Sequence, residues 1–201
     1  MKRKPRDPDV PEELEESDGT GERVEEARVS DGAPAGRVIR SRLEAGRLAS
    51  PWMTDVVAAR VDGANARLRG AEWERVRFVA CRMTGIDLPE ADLRDVVFQG
   101  CKLNLANFRS ARMERVAFDD CVLDEADFAG AAIADARFAG SQLRRVPFDG
   151  ARLLRADFRG AELIPFGDAA ALRGAIIDRV QLIDLARPLA ESAGIVIADD
   201  G

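Results

Sequence analysis

A solenoid of short stacked repeats, closed at its C-terminal end by a helix, is the fold class this sequence predicts. Three observations predict it. Large apolar residues recur at every fifth place from Leu68 to Leu163. Ala, Val, Cys, Ile or Ser stands two places before each of them. Residues 20 apart sort by type, since Phe78, Phe98, Phe118, Phe138 and Phe158 form one series. A helix spaces apolar residues by three and four and a half-buried strand by two, so a period of five fits neither. Self-similarity at a fixed period marks a repeat architecture.

Twenty blocks of five run from Ala66 to Pro165 without an insertion. "ADLRD", "ANFRS", "ADFAG" and "ADFRG" follow one pattern: a small residue, a polar one, Leu or Phe, then two variable places. This pattern resembles the pentapeptide-repeat family. The resemblance implies an all-β solenoid, a right-handed quadrilateral parallel β-helix with one pentapeptide per side and 20 residues per coil. About five to six coils and a short α-helical C-terminal cap are expected. The sorting at 20 supports the coil independently. Phe78, Phe98, Phe118, Phe138 and Phe158 fall on one side, and Met83, Leu103, Leu123, Leu143 and Leu163 on the next. Coils ~4.8 Å apart let a column of rings stack, each pair adding ~0.5–1.5 kcal/mol beyond burial.

Residues 1–36 read as a disordered charged tail, because they hold few large apolar residues to offset the entropy of ordering. Residues 37–65, which include Trp52, read as a lead-in and N-terminal cap. The β-helix is expected over 66–177, with a slip of register after Leu163. Residues 178–201 read as a helical C-terminal cap and tail. Asp178 is placed to cap a first helix, Pro188 to start a second and Gly194 to end it. A cover is expected there because an open β-helix end exposes a pairing edge. "LRGAIIDRVQLIDLARPLAESAGIVI" resembles the capping segment of actinobacterial-looking members of the family, some of which dimerise through it. A homodimer through the cap is therefore one expectation, beside capping alone.

Outward places carry alternating charge. Arg75, Asp95, Arg115, Asp135 and Arg155 change sign coil by coil, as do Glu74, Arg94 and Glu114. Stacked opposite charges act as cross-strand pairs, and these read as ladders that hold register. Cys81, Cys101 and Cys121 are 20 apart at the small inward place. Cβ atoms ~4.8 Å apart lie beyond the ~3.8 Å of a usual disulfide. The column reads as small hydrophobes rather than a metal or redox site.

No histidine or tyrosine is present, which removes the side chain most suited to proton transfer near neutral pH. No nucleophile–base pair or phosphate-cradling loop is found, so the expectation is a chain that is not an enzyme, with no cofactor, no metal and no small-molecule substrate. An apolar run long enough to span a membrane is absent, and the basic start lacks an apolar h-region. With three cysteines, an odd number, the expected location is cytoplasmic and no membrane is an expected partner.

The resemblance further implies one activity, DNA mimicry directed at type II topoisomerases with quinolone protection. A duplex carries one charge per ~1.7 Å, so a rod of ~24 Å would need roughly 14 net negative charges. Residues 61–165 hold 17 acids and 16 bases. The preferred expectation is a non-catalytic scaffold for another protein, with DNA mimicry the alternative. A nucleic-acid partner is unfavoured for want of a basic stripe and exposed aromatics. Val79, Val97, Gln99 and Ala117, on the side with fewest charges, are the expected exposed contact surface.

Overall fold

In the computed structural model, described for residues 6–10, 38–44, 48 and 51–198, the chain is a parallel β-solenoid of about six turns closed by one C-terminal α-helix. The strands are β1 (Val38–Glu44), β2 (Trp52–Ala59), β3 (Glu72–Val79), β4 (Asp92–Gln99) and β5 (Arg112–Asp119). They continue as β6 (Ala132–Ala134), β7 (Gln142–Pro147), β8 (Arg152–Leu154), β9 (Ala156–Asp157), β10 (Glu162–Phe166) and β11 (Ala175–Ile176). The helix α1 spans Arg179–Ser192. The main sheet runs β1-β2-β3-β4-β5-β6-β8, each strand parallel to the next.

The 20-residue coil appears directly in the pairing: Trp73 opposes Leu93, Phe78 opposes Phe98 and Met113 opposes Ile133. The second place after each centre is a corner. Asp55, Arg75, Asp95, Arg115, Asp135 and Arg155 take φ of 52 to 56° there, and Asn65, Leu105 and Glu125 turn another corner at 56 to 59°. Residues other than glycine resist this left-handed region, so the coil-to-coil hydrogen bonds and the filled interior must hold them in it. Both inward places are buried in nearly every block, Ala66 and Ala151 being partly buried, and the interior is solid with side chains. Phe78, Phe98, Phe118, Phe138 and Phe158 stack with centroids 4.5–5.1 Å apart and planes within 9°. A second column, Phe108, Phe128 and Phe148, stacks beside it and meets it edge-on.

The solenoid begins earlier than the repeat predicts. Met53, Ala58 and Gly63 occupy central places in the coil beneath Leu68, and β2 pairs with β3 in the same register as the later coils. The period is hidden because two of those centres are small. At Gly63 the vacant volume is taken by Leu48, whose Cβ and Cδ2 would lie 3.3 Å from an added Cβ. The Leu48 N–H also donates to Asp62 O at 2.8 Å. β1 pairs with β2 at an offset of 15 rather than 20, with Val38 opposite Met53.

At the other end the register shifts between Ile164 and Pro165. A 3-10 turn over Ala169–Leu172 follows, and β11 then pairs with β9 at an offset of 19. The cap differs from expectation at Pro188, which lies inside α1 rather than starting a second helix. Proline removes one helical donor, but Leu185 and Leu189 on either side pack onto the last coil and carry the helix through. Asp178 and Gln181 form a reciprocal capping box at the N-terminus of α1. Beyond Ser192, Gly194 takes φ of 74° and ends it.

Of the expected tail 1–36, Arg6–Val10 falls within the described residues, and it lies against the solenoid. The remainder of that stretch and residues 199–201 lie outside them. No described helix is long and apolar enough to cross a membrane.

Candidate interaction surface

Corner residues point outward, and on one edge of the solenoid they carry an ion-pair column. Arg115 donates from Nε and Nη2 to the two carboxylate oxygens of Asp95, at 2.6 and 2.8 Å. Arg155 holds Asp135 in the same way at 2.5 and 2.6 Å. Arg75 holds Asp55, a residue of the coil outside the predicted repeat, at 2.5 and 3.2 Å. The ladder is therefore a set of discrete pairs, each arginine reaching back one coil. Glu74 and Glu114 pair with their chain neighbours Arg75 and Arg115, while Arg94 pairs with Asp92 within its own strand at 2.7 Å. These last three thus bond mostly sideways rather than from coil to coil.

Next to this column lies the row Arg77, Val97, Ala117 and Arg137, one residue per coil and all outward. Arg137 is clamped by Asp119 through bonds of 2.9 and 2.8 Å. Arg6–Val10 crosses the strands here. The Asp9 N–H donates to Asp95 Oδ1 at 3.1 Å, and the Arg6 N–H donates to Asp135 Oδ1 at 3.4 Å. Asp7 pairs with Arg137. Burial corrects the expected contact surface. Val97 is 2% exposed and Ala117 0%, whereas Val79 is half-buried and Gln99 exposed. Two of the four residues expected to meet a partner, Val97 and Ala117, are thus closed to water, on the face where Arg6–Val10 bonds to Asp95, Asp135 and Arg137. Sequence reasoning missed Asp55, Asp119, Arg137 and that segment.

Electrostatics agrees with the geometry. Arg155 holds the Asp135 carboxyl below the usual carboxylate range, outweighing burial, and the Arg6 N–H adds to this. For Asp95 burial is the largest influence and pushes upward, but the bonds from Arg115 and the Asp9 N–H together outweigh it and the net direction is down.

The cysteine column has its own bonding. Cys81, Cys101 and Cys121 direct their thiols to the carbonyls of Ala58, Phe78 and Phe98, each 23 residues earlier, at 3.3–3.6 Å. Ser141 continues the column with a hydroxyl bond to Phe118 O at 2.9 Å. The Cys101 thiol is pushed up to about 12 by its neighbour Cys121 and by burial, and Cys81 is raised in the same direction by Cys101 and burial. Cys81 and Cys101 are therefore protonated donors, not thiolates. Among the described residues no group of three His, Cys, Asp or Glu is placed to hold a metal.

Residues 71–148 match the pentapeptide repeat region family model. No curated protein sequence matches the chain. Among solved structures, QnrB1, a plasmid-mediated fluoroquinolone resistance protein, is similar at 18% identity and a TM-score of 0.30, over 80% of this chain and 99% of that one. A pentapeptide repeat protein of the Arabidopsis thaliana thylakoid lumen is similar at 16% identity and TM-score 0.29, over 63% and 71% of the two chains. The cyanobacterial protein Rfr23 from Cyanothece 51142 shows 14% identity and TM-score 0.30, over 70% and 86%.

Proposed function

This chain carries a pentapeptide repeat region, and on that premise we propose that it is a non-catalytic interaction module, a rigid rod that presents one outer face to another protein. The observation that carries the reading is the filled interior. Stacked rings and aliphatic side chains occupy the solenoid from Met53 to Leu163. A surface hollow of about 120 Å³ beside Trp52, Thr54, Glu72, Asp92 and Arg94 falls short of the ~300–1,000 Å³ typical of a small-molecule site. Function then rests on the outside.

Copying the charge of duplex DNA is the second reading, and the ladders oppose it. Asp55, Asp95 and Asp135 are each cancelled by an arginine. Arg82, Arg144 and Arg145 on another side are cancelled by Asp62, Glu162 and Glu125. A gyrase supercoiling assay separates the readings: no inhibition at large molar excess is expected, and dose-dependent inhibition would replace the module reading with mimicry. A second copy is a further candidate partner, because α1 exposes Val180, Leu182 and Ile183. Sedimentation of Ile183→Asp beside the unmodified chain tests that contact, and an unchanged sedimentation coefficient removes it.

A further inference from the structure

We propose that the face crossed by Arg6–Val10 is a docking groove for an extended acidic segment of a partner protein, and that the chain's own Arg-Asp-Pro-Asp-Val occupies it in cis until displaced. This rests on the interaction-module reading and names its surface and its ligand chemistry.

Spacing is the first argument. Asp95 and Asp135 stand two coils apart, ~9.6 Å at the spacing of paired strands, and three residues of extended chain span ~10 Å. The N–H groups of Arg6 and Asp9, three residues apart, meet those two carboxylates. Both carboxylates are already neutralised by bidentate arginines. What they still offer is acceptor capacity, which reads backbone donors of any sequence.

Side-chain chemistry supplies the selectivity. Arg137 takes a carboxylate at the second position, now Asp7. Between the two acceptors stands Arg115, a donor with no acceptor of its own. A backbone N–H aimed there would find no partner, and the segment places Pro8, which has none, between its two donors. Val97 and Ala117 form a small apolar floor two coils long, bounded by Arg77 in the coil before and Arg137 in the coil after. A ligand of this groove is therefore an extended segment with a carboxylate one residue after the first donor and a proline following it.

The test uses the full chain and a fluorescent peptide of residues 1–12 as probe. The variant Asp7→Lys with Asp9→Pro removes the acidic contact and one backbone donor from the segment without altering the groove. An intramolecular competitor acts at an effective concentration on the order of 1 mM. The probe is expected to bind the released variant about ten-fold or more tighter than the unmodified chain, given an intrinsic Kd of about 100 μM or less. Adding Arg137→Glu should abolish binding of that probe and restore it for a probe carrying Asp7→Lys, a swap that a purely structural role would not produce. No binding to the released variant, or equal binding to both chains, overturns the proposal. A dimer in sedimentation that dissociates on release would seat a second copy's segment in the groove and overturn the cis form. Failure leaves the module reading standing, because partner capture by other faces, scored with Ala117→Arg in place, reads that separately.

Discussion

Gln181→Met is the sharpest test of how the open end of the solenoid is closed. In the coils beneath, the carbonyl at the Cys81, Cys101, Cys121 and Ser141 places accepts the N–H of the residue 21 further on, from Lys102, Val122, Gln142 and Glu162. At Ala161 that donor would be Leu182, whose N–H is instead committed to Asp178 O in the first turn of α1. The Gln181 side-chain amide substitutes for it, donating to Ala161 O at 2.8 Å and to Phe158 O at 2.6 Å. Methionine keeps the length and removes the donors. A buried carbonyl left unpaired costs ~1–3 kcal/mol, and the second bond contributes ~1 kcal/mol. Losing the bond from the Asp178 N–H to Gln181 Oε1 weakens the capping box by ~0.5–1 kcal/mol more. The expected loss is about 3–5 kcal/mol. Because each coil touches only its neighbours, the loss should be local. Amide hydrogen exchange over β10, β11 and α1 should accelerate by about 100-fold or more, while β3–β5 stay protected. Exchange in α1 changed by less than about three-fold would refute the assignment of Gln181 as the terminal donor.

Other outcomes follow from the column geometry. Phe118→Leu removes stacks at 5.0 Å to both Phe98 and Phe138; urea unfolding should show a loss of ~1–3 kcal/mol, and a loss under about 0.5 kcal/mol would deny stacking a role. Cys121→Ser should be close to neutral in the same assay, since Ser141 already makes the equivalent bond, whereas Cys121→Val should destabilise by ~1–2 kcal/mol. Native Cys81 and Cys101 should resist iodoacetamide at pH 8, their thiols being buried and raised, and should react on unfolding. Asp95 and Asp135 are depressed in the folded chain, so their contribution is present above the unfolded carboxylate value of ~3.9 and lost as pH falls below it. The Asp9 amide should gain exchange relative to neighbouring core amides as pH falls through the depressed Asp95 value, below that of a free carboxylate, and protection unchanged until the chain unfolds would contradict the Asp95 contact.

The solenoid was legible because its centres are large. Phe78 to Phe158 announce the coil through their spacing alone, and pairing of Phe78 with Phe98 follows from it. The first coil was illegible for the converse reason: Ala58 and Gly63 carry no apolar signal, and what fills the space at Gly63 is Leu48, a residue outside the period. The alternating charges were legible as a ladder, yet the pairing of Arg75 required Asp55, which only the added coil supplies. Arg6–Val10 was missed because its hold on the solenoid uses two backbone N–H groups, which no side-chain pattern records. Val97 and Ala117 were expected to be exposed because they alternate with inward residues along β4 and β5, but outward on a strand is not the same as open to water, and both are buried on the face that Arg6–Val10 crosses.

Stacking at a constant interval makes the solenoid a ruler, graduated in steps of one coil. The distance between Asp95 and Asp135 can change only by whole graduations, because insertion of anything other than 20 residues would misplace every ring and corner above it. A crossing peptide measured against that scale must change length by one or two residues for each coil gained or lost. Two chains of this kind with different coil counts between equivalent aspartates would therefore select ligands by length before any side chain is read.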